Sequence, residues 1–390
     1  MERFISFFQI DAIEITIVLI MFSVFLIQIF FYSYYYIRPL SYQSKRQRER
    51  SNTVLTPSVS VIITVKEESE ILEHTLPVIL TQDYPNYEVI VVNNGFTEET
   101  DTLLNRLQQE HSHLYHTFLP EHSDKESIRK RLALTIGIKA AQNDILLFTE
   151  ADTMPSGNRW IASMMENMTS DKDIVLGYCY FEKAKKFFTR IARFDNLLFS
   201  MQYLSMAILG KPFTGIYRNI AYRKNLFFDN KGFADFLNYE HGEANFLNGI
   251  MTTDNTNVAL SEDSFVSTRI GSYSHWASIK LFYYKTQRHS KKFRFSFKKF
   301  SLEIFTRYLL YLLLIIATGY SLINGNYISL IVCGFLYLLQ LVLKISLLNR
   351  STSYFKAGKF HFSFALLELL QPLYNMRFKS LSSKKNRYFR

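Results

Sequence analysis

The chain has 390 residues, 48% of them hydrophobic and 16% aromatic, with a formal charge of +11. That length holds one large domain with additions, and only two cysteines, Cys179 and Cys333, exclude a disulfide framework or a cysteine zinc site and suit a reducing compartment. The positive excess stands beside apolar segments, which favours membrane lipids over nucleic acid as its partner, and no nucleic-acid recognition motif is present.

Residues 15–37 are nearly all apolar, and a bilayer span needs about 20 such residues. No small-residue cleavage site marks the run as a signal peptide. Aromatic residues crowd its end at 30–36, followed by Arg38, Lys45, Arg46, Arg48 and Arg50. The positive-inside rule places this side in the cytoplasm and the N-terminus outside. The expected division is a transmembrane anchor over 1–40 and a basic linker over 41–57.

From Pro57 the composition is that of a soluble domain. Strands are expected at 59–65, 87–93, 114–119 and 145–148, with helices at 67–80, 98–110 and 127–141 between them. This alternation predicts an α/β domain with a mostly parallel sheet and right-handed crossovers. No GxGxxG or GxxxxGK[ST] loop is present, so neither a dinucleotide fold nor a P-loop is supported. The strand at 145–148 runs into Glu150, Asp152 and the turn residue Pro155. Alternate strand residues share a face, so Glu150 and Asp152 point the same way. Two acids at a buried strand end require positive charge between them. A divalent cation carrying a phosphate ester suits that place, which in open α/β sheets is where ligands bind.

Further on, helices are expected at 159–169 and 187–209, and strands at 174–180, 213–223 and 257–260. Residues 285–299 are strongly basic. Two apolar segments, 305–323 and 327–348, are separated only by Asn324-Gly325-Asn326 and predict a transmembrane hairpin. Residues 360–374 contain Glu368 and Pro372, are short for a span and predict an interfacial or re-entrant helix before a basic tail. The resulting layout is a sheet domain over 58–300, a hairpin over 301–350, and an interfacial helix and tail over 351–390. It has three spans, in the cell's inner membrane, with the sheet domain and C-terminus cytoplasmic.

Four stretches together resemble the membrane-bound family 2 glycosyltransferases, which have a GT-A fold. They are Ser58-Val-Ser-Val-Ile-Ile-Thr64 with Gln82-Asp-Tyr-Pro-Asn-Tyr-Glu-Val-Ile-Val-Val92; Lys130 with Gly137-Ile-Lys-Ala-Ala141; Phe148-Thr-Glu-Ala-Asp152 with Pro155 and Trp160; and Arg218-Asn-Ile-Ala-Tyr-Arg223 with Lys231-Gly232-Phe233. The resemblance implies that Thr64, Lys66, Glu67 and Asn94 lie along the nucleotide, with Lys130 near it. Glu150 and Asp152 stand where the family has Asp-x-Asp, which binds the nucleotide sugar and its metal, Mg or Mn. The implied partners are a nucleotide-sugar donor and a lipid-linked or glycan acceptor, with inversion at the anomeric carbon.

The chain departs from the family pattern at several positions. Asn94 replaces a nucleotide-contacting Asp, and Glu150 replaces the first acid of the pair. Lys285-Thr-Gln-Arg288-His289 fills a Gln-x-x-Arg-Trp position, with Arg288 and His289 expected at the diphosphate. For the general base, counting back from that motif leads to Glu243, while Ser261-Glu262-Asp263 offers Asp263 as a rival. The same departures motivate a second expectation, a degenerate domain kept as a binding or scaffold subunit.

Overall fold

The computed structural model describes residues 11–48, 56–66, 69–95, 97–119, 126–325, 327–361 and 363–383. Helix α1 (Ala12–Phe31) comes first, with Asp11 and Glu14 forming a capping box at its start. A π-helical turn (Tyr32–Tyr36) leads into α2 (Arg38–Arg48). Pro39 has no N–H to give, so the Tyr35 carbonyl lacks its usual helical partner. The hydroxyl of Ser205 donates to that carbonyl instead. The basic stretch expected as a linker is therefore helical as far as Arg48, and residues 49–55 lie outside the described ones.

The sheet domain runs β1 (Val59–Val65), α3 (Ser69–Leu80), β2 (Tyr87–Asn93), α4 (Glu98–Glu110), β3 (Leu114–Phe118), α5 (Glu126–Ala140), β4 (Ile145–Glu150), β5 (Thr153–Pro155), α6 (Trp160–Met165), β6 (Ile174–Leu176), β7 (Cys179–Phe181), α7 (Phe187–Ile208), β8 (Ile220–Arg223), α8 (Lys224–Asp229), α9 (Gly242–Ile250), β9 (Thr256–Val258) and β10 (Val266–Thr268). Four helices complete it: α10 (Tyr273–His289), α11 (Lys291–Asn324), α12 (Ile328–Tyr354) and α13 (Phe364–Ser383).

Seven strands pair in the order β3-β2-β1-β4-β8-β6-β9. β3, β2, β1 and β4 are parallel, and β8 is antiparallel to β4. Their side chains alternate between two cores. Ile62, Ile90 and Phe148 share one with Leu134, Leu197 and Met201; Val61, Val91 and Leu147 share the other with Leu72, Leu104 and Trp160. Burying each such aliphatic is worth about 1.5–3 kcal/mol, so both faces of the central strands are fixed. The register brings Val65 beside Asn93 and Thr64 beside Glu150, so the carboxyl ends of β1, β2 and β4 meet.

Two expected strands are shorter than the sequence suggests. The run 174–180 divides into β6 and β7, which belong to different sheets. Between them the Asn219 side chain is buried: Trp160 Nε1 donates to its oxygen at 3.1 Å, and its nitrogen donates to the Tyr178 and Ser264 carbonyls at 2.9 and 2.8 Å. A Cβ on Gly177 would lie 2.4 Å from that side chain. Gly177→Ala is therefore expected to destabilise the fold by about 1–3 kcal/mol. Thermal unfolding of the full chain measures this, and an unchanged Tm would count against the wedge. The run 213–223 is a strand only over Ile220–Arg223, because residues 213–217 are irregular on their way into this wedge.

Three segments, Ala12–Arg46, Lys291–Asn324 and Ile328–Tyr354, are long and apolar enough to cross a membrane. α11 starts well before the apolar run expected at 305, capped by the Ser290 hydroxyl, which accepts from the Phe293 N–H at 3.2 Å. α1, α11 and α12 pack through Ile17, Met21, Val24, Leu310, Leu313 and Cys333. α13 extends past the expected 374 to Ser383, and its Leu367 and Phe378 join the same core as α7.

Where these helices meet, ionisable groups are buried together. Arg307 chelates Glu303 at 2.6 and 2.8 Å and donates to the Glu368 carbonyl at 2.9 Å. Lys344 holds the Glu368 carboxylate at 2.6 Å, and Tyr32 donates to it at 3.2 Å. Gln371 carries the chain of contacts on to Asp195 of α7 at 3.0 Å, and Asp195 pairs with Lys280 of α10 at 2.7 Å.

Candidate active site

Glu150 ends β4, and Asp152 lies in the turn that follows. As the strand pattern requires, both carboxylates reach one point, and a guanidinium occupies it. Arg218 Nη2 is 2.7 Å from Glu150 Oε2 and 3.4 Å from Asp152 Oδ2. The antiparallel register explains the encounter: its last pair is Phe148 with Ile220, and Arg218, two residues before β8 begins, falls opposite Glu150 when that register is extended. Lys130, from α5, holds the other Glu150 oxygen at 2.9 Å. Thr268 of β10 donates to Asp152 Oδ2 at 2.7 Å, and His275 Nε2 of α10 lies 3.7 Å from the same atom. Burial works against the charge on Glu150, but Arg218 and Lys130 outweigh it and hold the carboxyl well below its usual range.

This group opens into a cleft of about 1,010 Å³. Lys130, Glu150, Arg218, Tyr239, His241 and Glu243 line it, together with Phe282 and Tyr283 of α10. Glu243 is placed by the start of α9. A Cβ on Gly242 would lie 2.4 Å from the Phe236 carbonyl, so only glycine lets the helix begin there. Arg131 fixes the preceding loop, donating to the Tyr239 and Leu237 carbonyls at 2.6 and 3.0 Å. Glu243 is 2% exposed, and its Oε2 finds no hydrogen-bond partner among the described residues. Burial raises its pKa, and Lys130 and Arg131 offset this only in part. Burial also pushes the neighbouring His241 well below its usual value, so the imidazole is neutral at pH 7.

The nucleotide-side candidates lie along the same sheet edge. Thr64 stands beside Glu150 at the end of β1, and Lys66 is exposed just beyond it. Asn94 is buried; its N–H donates to the Val65 carbonyl at 2.7 Å, its own carbonyl accepts from Arg129 at 2.7 Å, and its Oδ1 has no partner among the described residues. Glu67 lies outside the described residues.

Two expectations need correcting. Asp263 is exposed on a short 3-10 turn (Glu262–Ser264) and does not line the cleft; its neighbour Glu262 faces a separate groove with Lys45 and Arg350. Arg288 and His289 are exposed on the last turn of α10 rather than beside the acid pair. The His289 ring stacks on Tyr239, a residue that lines the cleft, at 4.4 Å. The α10 residues that do line the cleft are one to three turns earlier. Sequence reasoning missed Arg218, Thr268 and His275 as site residues. Arg218 was visible as the first residue of a family stretch, but its partner depends on a strand register that the sequence does not display.

Residues 60–229 match the sequence profile of Glycosyl transferase family 2. This segment belongs to that family. Within 121 residues the chain is 26% identical to a Poly-beta-1,6-N-acetyl-D-glucosamine synthase of Staphylococcus aureus (strain COL), a match covering 31% of this chain and 28% of that one. A synthase of the same description from Staphylococcus epidermidis is 29% identical over 97 residues, 25% of this chain and 22% of the relative. The matched stretch therefore spans under a third of these relatives. Among solved structures, the Mannosyltransferase PcManGT from Pyrobaculum calidifontis, in complex with GDP-Man and Mn2+, superposes with a TM-score of 0.52 at 14% identity, covering 95% of this chain and 100% of that one. The family 2 domain thus has the GT-A fold expected from the sequence.

That fold implies a divalent cation. Among the described residues, no group of three or more His, Cys, Asp or Glu side chains is gathered to hold one. The hard oxygen donors of Glu150 and Asp152 nevertheless suit Mg or Mn, which complete their shells with water and substrate phosphates. These two acids stand together at the end of β4, and Arg218 already touches both.

Proposed function

We propose that this chain is a membrane-anchored, inverting glycosyltransferase that moves a sugar from a nucleotide-sugar donor to a lipid-linked or polysaccharide acceptor at the inner leaflet. One observation carries the reading: a buried carboxyl, Glu243, shares its cleft with the cluster of Lys130, Glu150 and Arg218 at the carboxyl ends of the parallel strands. The nucleotide lies along Thr64, Lys66 and Asn94, and its diphosphate faces Lys130 and Arg218. A bound Mg or Mn, held by Glu150 and Asp152, supplies Lewis-acid neutralisation of the departing diphosphate. Glu243 takes the proton of the acceptor hydroxyl as its oxygen bonds the anomeric carbon. The bond from that carbon to the diphosphate breaks on the opposite face, which inverts the centre. Lys130 and Arg218 stay with the leaving group, charges fixed in place before it departs.

The three apolar helices and the basic residues beside them support an inner-membrane location with the cleft on the cytoplasmic side. Tyr239, Phe282 and Tyr283 give the cleft the aromatic walls on which sugar rings stack.

The test uses the full chain in liposomes, supplied with Mn2+ or Mg2+, labelled UDP- and GDP-sugars, and a membrane-lipid extract as acceptor. The expected result is nucleoside diphosphate release together with label in a lipid or glycan product, both lost on adding EDTA. Nucleotide binding without turnover, whatever the donor, would favour a scaffold role instead.

A further inference from the structure

The acid pair at the end of β4 already has its counter-ions. Glu150 and Asp152 are matched by the fixed charges of Lys130 and Arg218, two acids against two bases, with His275 3.7 Å from Asp152. The Arg218 guanidinium reaches both carboxylates through a single nitrogen, Nη2, while its buried Nε has no partner among the described residues. Such a fork is only partly used, and a fork is well shaped to bind phosphate oxygens.

A neutral cluster is a poor host for a lone divalent cation, which would meet Lys130 and Arg218 at short range. It is an equally poor host for a lone diphosphate, which would meet Glu150 and Asp152. Brought together, cation and diphosphate cancel one another's charge: the cation takes the carboxylates and the phosphates take the two bases. Resting on the donor-site reading above, we infer that Arg218 is the resident counter-ion of the acid pair, handed over to the diphosphate when nucleotide and divalent cation bind together, so that neither binds well alone. Arg218 is then the residue that makes metal binding depend on nucleotide. By linkage the dependence is reciprocal, with a coupling factor in the usual range of roughly 5–150-fold.

The test is a Mn2+ titration followed by electron paramagnetic resonance, on the full chain in detergent micelles, with and without UDP or GDP. In the unaltered chain Mn2+ binds weakly alone and tightens by roughly 5–150-fold when the nucleotide it accepts is present. Arg218→Gln leaves the cluster with net negative charge, so Mn2+ alone binds at least about fivefold tighter and the coupling shrinks. Arg218→Lys keeps the charge and stays close to the unaltered chain. Equal Mn2+ affinity with and without nucleotide in the unaltered chain overturns the inference, and so does an Arg218→Gln chain that titrates like its parent. If Arg218→Gln does not fold, equal Mn2+ affinity with and without nucleotide in the unaltered chain still overturns the inference. Absence of any UDP, GDP or Mn2+ binding in the unaltered chain removes the donor-site reading itself, a result distinct from nucleotide binding that is merely uncoupled from the metal.

Discussion

Glu243→Gln lowers kcat by about two to four orders of magnitude while nucleotide binding is kept, the loss expected when a positioned proton acceptor is removed. The amide preserves the shape of a side chain that is 2% exposed and cannot accept the proton. Burial raises the Glu243 pKa, so the unaltered enzyme should gain activity with rising pH through a limb above the ordinary carboxylate range. The variant should lose that limb. Stability moves the other way. A carboxyl whose folded pKa is raised contributes stability fully present below its unfolded value, about 4.3, and lost as pH rises through the folded pKa. Above its folded pKa the ionised Glu243 is a liability, and there Glu243→Gln should melt no lower than the parent. Rate profiles and thermal unfolding on the same preparation check both. A variant with parental turnover would exclude Glu243 as the base.

Arg307→Met costs about 3–5 kcal/mol of stability, the usual penalty for breaking a buried ion pair from one side. The substitution keeps the bulk of the stem but leaves Glu303 without its chelating partner and Glu368 with Lys344 and the Tyr32 hydroxyl. The damage should extend beyond the helices that hold the pair. Arg307 also contacts Gln371, Gln371 holds Asp195, and Asp195 holds Lys280 on the helix that walls the cleft. Unfolding of the full chain in detergent measures the loss. A change below about 1 kcal/mol would mean that the cluster behaves as an exposed pair.

What the sequence conveyed follows from what each feature depends on. β1, β2 and β4 were legible because they are buried on both faces and read as continuous apolar runs. Glu150 and Asp152 were legible as a pair because strand alternation is local. The division at Gly177 was not, because its cause is Asn219, more than forty residues away. Arg218 was missed as the acid pair's partner for the same reason: antiparallel pairing sets it opposite Glu150, and pairing is a property of two strands. Asp263 was attractive as part of an acidic string, yet that string lies on an exposed turn. The single acid at Glu243, in a plainer context, is the buried one. The ion cluster draws on positions from Tyr32 to Gln371, and only the folded chain brings them together.

The π-helical turn in the N-terminal helix carries one more residue than an α-turn would, which rotates everything beyond it by about 100°. Before the turn, the inward positions are Ile17, Met21, Val24, Gln28 and Phe31; continued at the same spacing they would go on to Tyr35, Arg38 and Tyr42. The inward positions are instead Tyr36, Pro39 and Gln43, each one place later. Closing Tyr32–Tyr36 to ordinary α winding with all five residues kept would swing a guanidinium and two phenols toward the domain. The winding of this short segment, more than its composition, decides which side of the anchor docks on the sheet domain.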